Sequence, residues 1–274
     1  MLNRSSGQTS NANPLNLIRI MPAQGIDVPQ ASSLAGTRAA QQHHRPVEPR
    51  SRRPCRPTRN RDMTTIDQAT PHPALDAFYP LVASTAALAS VLPAGVRLAQ
   101  LRIKDKQGQA LLDELAQARE LCAAAACTLV VNDFWREAIE TGCSYVHLGQ
   151  EDLDTADLAA LRTAGVRIGI STHDEAELAR ALAAEPDYIA LGPIFPTGSK
   201  QLDWAAQGID RIRHWKRQIG SRPLVAIGGL TLETAAPALA AGADSLAVIG
   251  DVMNHPDPAQ RCREWLAAIK AAQA

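Results

Sequence analysis

The sequence predicts an α/β protein: a closed (β/α)8 TIM barrel behind a disordered N-terminal extension. Three observations carry this expectation. From Phe78 onward, eight short apolar runs alternate with Ala/Leu-rich segments of helical period. Eight such units in about 200 residues match the smallest closed barrels. The residues after the first run, Ser84-Thr85-Ala86, lack the Gly-rich turn that an open doubly wound sheet normally carries there.

The elements follow in order. Residues 1–62 hold ten Arg, no Lys and three acids (Asp27, Glu48, Asp62), a net of +7, with seven Pro and no aromatic residue. Such a stretch cannot bury enough apolar area to offset chain entropy, and the expectation is disorder. Met63 stands where the composition changes and is an alternative start. An organelle leader and a nucleic-acid-binding arm are the competing readings of the basic tail. The barrel domain is expected over 74–274. Its strands are expected at Tyr79–Ala83, Leu98–Ile103, Thr128–Val131, Tyr145–Leu148, Arg167–Ile170, Tyr188–Leu191, Leu224–Ile227 and Leu246–Ile249. Its helices are expected at Ser84–Leu92, Gln109–Ala125, Thr155–Thr163, Asp174–Ala183, Ala205–Ile219, Leu232–Ala240 and Pro258–Ala272, with caps at Thr155, Asp174 and Thr231.

Composition narrows the function. Beyond residue 62 the chain carries 18 basic and 25 acidic residues, a net of −7, which argues against a nucleic-acid partner. No window of about 18 apolar residues exists, so no membrane partner is expected. Five Cys, odd in number and without a CxxC pair, argue against a disulfide framework or structural zinc and fit a reducing, cytoplasmic setting.

Barrel enzymes place their chemistry at the C-terminal ends of the strands. The second strand ends Gln100-Leu101-Arg102-Ile103-Lys104. Alternation puts Gln100, Arg102 and Lys104 on one face, either as an anion site or as a solvated strand tip. The third ends Asn132-Asp133 and the fourth runs His147-Leu148-Gly149-Gln150-Glu151-Asp152. Asp133 and Asp152 can share a hard divalent cation, or each can cap a helix. His147 reads as a hydrogen-bonded core histidine. After the fifth strand come Ser171, a possible phosphate donor, and His173, either an acid–base group or a loop residue. The sixth leads into Gly192-Pro193-Ile194-Phe195-Pro196-Thr197-Gly198-Ser199-Lys200, which supplies hydroxyls and a cation. Gly228-Gly229 and Ile249-Gly250 follow the seventh and eighth, where barrels often hold a phosphate on backbone N–H groups. The mouth therefore reads as two anion-binding ends.

These stretches, together with Gly242-Ala243-Asp244, resemble bacterial thiamine-phosphate synthases from Phe78 to the C-terminus. The resemblance implies a transferase that joins hydroxymethylpyrimidine diphosphate to thiazole phosphate (or its carboxylated form), yielding thiamine monophosphate and diphosphate. It implies that Gln100, Leu101, Arg102, Ile103, Lys104, Asn132 and Ser171 bind the pyrimidine diphosphate. Asp133 and Asp152 would ligate one Mg2+. Thr197, Gly198, Ser199, Lys200, Gly229, Ile249 and Gly250 would hold the thiazole phosphate or bridge the substrates. Arg102, Lys104, Ser171 and Lys200 would be catalytic. The chain departs from the family pattern at Ser199, where Thr is usual, and at Gly250, where Ser is usual. The expected partners are the two small-molecule substrates, and a homo-oligomer is compatible with the sequence. A thiazole tautomerase and a non-catalytic pathway regulator are the alternatives. The full set of Arg102, Lys104, Asp133, Asp152 and Lys200 argues against both.

Overall fold

A computed structural model of the chain describes residues 74–197 and 205–274. The extension 1–62, Met63, and the three loop residues Gly198, Ser199 and Lys200 lie outside the described residues. Eight strands close in chain order into one parallel barrel. They are β1 Phe78–Val82, β2 Leu98–Leu101, β3 Thr128–Asn132, β4 Tyr145–Leu148, β5 Arg167–Thr172, β6 Tyr188–Leu191, β7 Leu224–Ile227 and β8 Ser245–Val248. The ring closes where Phe78, Tyr79 and Pro80 pair with Leu246, Ala247 and Val248.

Strand ends differ from expectation by one or two residues. β2 stops at Leu101, so Arg102, Ile103 and Lys104 belong to the following loop; Arg102 still donates its N–H to the Val82 carbonyl at 2.8 Å. The first crossover contains the expected helix, α1 Thr85–Val91, whose cap Ser84 accepts from the Ala87 N–H at 3.2 Å. It is followed by α2 Gly108–Ala124, α3 Trp135–Glu140, α4 Leu158–Thr163, α5 Glu175–Ala183, α6 Ile209–Ile219, α7 Leu232–Ala240, α8 Gly250–Met253 and α9 Pro258–Ala272.

Two helix starts are corrected. α4 begins at Leu158 rather than Thr155, because Asp157 is the residue whose carboxylate accepts the Ala160 N–H, at 2.9 Å. α6 begins at Ile209 rather than Ala205, after Gly208 at φ 75°. Asp174 and Thr231 cap as expected, the latter in a capping box with Thr234.

Each strand is buried on both faces, which is why the strands read as nearly continuous apolar runs. One parity faces the helices. Leu101, Val131, Val146, Leu148, Ile170, Ile189, Leu191, Leu246 and Val248 form that layer with the inner faces of the helices. The other parity fills the barrel with Tyr79, Leu81, Leu98, Val130, Tyr145, Tyr188, Ala190, Val225 and Ala247. Tyr188 owes its place to Gly169, its register partner on β5. A Cβ at Gly169 would stand 2.0 Å from the Tyr188 ring.

At the far end, Gly242-Ala243-Asp244 supports the fold rather than the mouth. Asp244 precedes β8, accepts the Leu224 N–H at 2.7 Å and pairs with Lys216 at 2.6 Å.

Candidate active site

All eight strands run parallel, so their C-terminal ends gather at one mouth. At the β2 end, Gln100 is 2 % exposed and turned inward, and its Nε2 donates to Tyr79 Oη at 2.9 Å. The Leu101 and Ile103 side chains point the other way, into the helix-facing layer, so only their backbone is available to a ligand. Arg102 is half-buried and Lys104 exposed. The Arg102 charge is felt both at Asp133 and at His147, which places it above the β3 and β4 ends. A neighbour that sequence reasoning passed over, Lys106, pairs with Glu114 of α2. Glu114 in turn accepts from the Thr85 N–H at 2.6 Å and hydroxyl at 2.8 Å, tying the Arg102 loop to the start of α1.

Asp133 and Asp152 come together. Asp133 sits at φ 65°, a left-handed conformation that Asp tolerates better than most side chains and that turns the chain sharply off β3. It does not cap α3; Phe134 holds that position without a side-chain bond. Asp152 opens a short 3-10 turn, and its carboxylate accepts the Gly149 N–H at 2.7 Å. Asp133 reaches solvent at the mouth, but its carboxyl is partly shielded by the surrounding protein. Desolvation there, followed by the charge and hydrogen bond of Asp152, pushes its carboxyl up to about 6, while Arg102 and Asn132 pull it down. A carboxyl raised by the charge of its carboxylate neighbour marks a site that is short of positive charge.

Ser171, near the end of β5, is held from two sides. Its Oγ lies 2.7 Å from His147 Nε2, and its carbonyl accepts from Gln150 Nε2 at 2.7 Å. His147 Nδ1 lies 2.7 Å from Tyr188 Oη, which lies 3.1 Å from Tyr79 Oη. A polar chain thus crosses the barrel from Gln100 to Ser171. Burial, and then the Arg102 charge, depress His147 to about 4. The core role read for His147 holds, but its partners were missed. The inward parity applied to β2 would have found Tyr79, Tyr188 and His147 had it been applied to β1, β6 and β4. Next to Ser171, the Gln150 Oε1 is buried and has no hydrogen-bond partner. His173 bonds Glu177 through Nδ1 at 2.8 Å and through its backbone N–H at 2.7 Å, beside the Asp174 cap.

The β6 and β7 loops interlock. Ile194 and Phe195 donate to the Ile227 and Gly228 carbonyls at 2.9 and 3.0 Å. Gly228 at φ 96° and Gly229 at φ 65° could not carry side chains, since a Cβ would stand 2.7 Å from Pro193 Cα or 2.5 Å from the Pro196 carbonyl. The 192–197 stretch is further held by Gln207, which bonds the Gly192 and Pro193 carbonyls at 2.9 Å. Thr197 ends it, half-buried. After β8, Ile249 and Gly250 lead into α8, which Asp251 anchors by accepting from Arg261 at 2.9 Å and from Trp265 Nε1 at 2.7 Å.

A family model described as thiamine monophosphate synthase matches residues 80–252. A thiamine-phosphate synthase from Rhizobium etli is 54% identical over 194 residues, covering 71% of this chain and 95% of the relative. One from Neisseria meningitidis serogroup B is 46% identical over 197 residues, covering 72% and 93%. Among solved structures, thiamine phosphate pyrophosphorylase from Pyrococcus furiosus superposes with a TM-score of 0.65 at 24% identity, covering 73% of this chain and 98% of that one. That likeness bears on the fold.

Proposed function

The chain belongs to the thiamine monophosphate synthase family, and from that premise we infer that its barrel mouth joins a pyrimidine diphosphate to a thiazole phosphate. The observation that carries the reading is the Asp133–Asp152 pair beside Arg102. Among the described residues, no group of three or more His, Cys, Asp or Glu could hold a metal ion. Asp133 and Asp152 would hold such a cation with few protein ligands, leaving it open to the substrate phosphates. That is the habit of Mg2+, which favours one or two carboxylates plus phosphate. When bound, Mg2+ would offset the charge of the diphosphate.

The protein's own groups account for the rest. The bond between the pyrimidine methylene carbon and the diphosphate oxygen breaks first, leaving a ring-stabilised cation. Arg102 and Lys104, with Lys200 from the loop after β6, balance the charge gathering on the departing diphosphate. Ser171 gives it a hydrogen bond. The thiazole nitrogen then attacks the cationic carbon, and no strong general base is required. The thiazole phosphate is held by Thr197 and Ser199 with the backbone of Gly229 and Gly250, and this fixed separation supplies a further share of the rate. Gln100 and Asn132 line the pyrimidine end. A tautomerase is not favoured: the relatives are named as synthases, and the interaction of Asp133 with Asp152 and Arg102 supports a diphosphate site.

The test is direct. The purified chain, given both substrates and Mg2+, should yield thiamine monophosphate and diphosphate by mass analysis, and excess chelator should stop it. Undiminished turnover in chelator would remove the metal from the reading. No product with the thiazole phosphate or with its carboxylated form would remove the activity.

A further inference from the structure

The polar chain behind Ser171 has a direction. At its far end, Gln100 Nε2 is a donor and gives a hydrogen to Tyr79 Oη at 2.9 Å. Tyr79 and Tyr188 are 1 % and 0 % exposed, so an unmade hydroxyl bond there goes uncompensated by water. Tyr79 Oη has Tyr188 Oη, at 3.1 Å, to give its own hydrogen to. If Tyr188 donated instead, Tyr79 would accept twice and its hydrogen would be buried with nowhere to go. Tyr188 thus receives from Tyr79 and gives its hydrogen to His147 Nδ1 at 2.7 Å. A neutral imidazole that accepts at Nδ1 carries its hydrogen on Nε2. That Nε2–H points at Ser171 Oγ, 2.7 Å away. Ser171 Oγ then accepts from His147, and its own hydrogen is left to give elsewhere.

We propose that His147 is a positioning residue: held in the Nε2–H form by the Gln100–Tyr79–Tyr188 relay, it fixes Ser171 as a hydrogen-bond donor to the leaving diphosphate. This rests on the synthase reading above. With Nε2 a donor, the imidazole cannot take the Ser171 hydrogen, which stays free to turn to the diphosphate, so less reorganisation is needed as charge develops. The groups facing His147 agree. Tyr188 stacks on it with ring centroids 5.6 Å apart, which holds the ring plane between its two partners.

The experiment is a double-mutant cycle on the full chain with Mg2+ and both substrates. His147→Asn, which loses the reach of Nε2, and Tyr188→Phe, which loses the hydroxyl but keeps the ring, should each lower kcat about tenfold, the scale of a hydrogen bond that orients a contact group. KM for the thiazole phosphate should stay put. Ser171→Ala should lower kcat by roughly 100-fold, and adding His147→Asn to it should cost nothing more. His147→Gln, which restores an amide hydrogen near the Nε2 position, should recover most of the rate. Long-range proton–nitrogen NMR of the wild-type ring should show the Nε2–H form. Additive losses in the cycle, or an Nδ1–H ring, would overturn the proposal. If His147→Asn does not fold, Tyr188→Phe carries the cycle. If the wild-type chain makes no thiamine phosphate, the synthase reading fails instead, and the NMR result still decides the relay.

Discussion

Asp133 combines a left-handed backbone with a carboxyl that its surroundings make harder to ionise. Both features cost stability in the ligand-free protein, as groups poised for a ligand often do. The sign of the pH effect follows. The folded value, about 6, lies above the ordinary 3.8, so the contribution of Asp133 to stability is fully present below 3.8 and is lost as the pH rises through about 6. A divalent cation should reverse that loss only where the pair is ionised. Mg2+ should therefore raise Tm more at about pH 7.5 than at about pH 5, read by thermal shift. An equal rise at both would show that the ion binds elsewhere. Asp133→Asn should separate the two roles. It relieves the repulsion and keeps a residue that accepts positive φ, so Tm without Mg2+ should rise by a few degrees while kcat falls roughly 100-fold. Parallel losses in stability and rate would restore a purely structural role.

Among the elements, β5 shows how packing and chemistry share a strand. Gly169 makes room for Tyr188, and two residues later Ser171 meets His147. Gly169→Ala should destabilise the fold by about 1–3 kcal/mol in urea titration, the range for overpacking a core. It should also slow turnover, because Tyr188 cannot move without pulling on His147. A loss of stability with full activity would show the two to be independent. The elements also show what a sequence conveys. β4, β6, β7, α7 and α9 are legible to the residue, because their apolar periodicity and capping residues agree. α8 and the true start of α4 were not, since a four-residue helix carries no period and Thr155 competes with Asp157 as a cap. The carboxylate pair was legible as two strand ends. The relay was not, because tyrosine and histidine inside apolar strands read as ordinary core until the inward parity is followed around the whole ring.

For the molecule as a whole, closure depends on the seam between the first and last strands. α9 covers it: Trp265 stacks on Phe78 at 5.8 Å and 11°, and its Nε1 reaches Asp251 at the start of α8. Trp265 is fully buried, so Trp265→Ala should cost about 3–5 kcal/mol, measured as a fall in the urea midpoint. A change under 1 kcal/mol, about the cost of a lost surface contact, would mean that the seam holds without this helix. The interlocked turns after β6 and β7 have a different consequence. Prolines of one strand end rest against glycines of the next too closely for even a methyl group, so neither turn can be retuned alone. A lineage seeking a new phosphorylated co-substrate would have to keep this corner frozen and vary the opposite rim, around the second and third strands, where side chains rather than bare backbone meet the solvent.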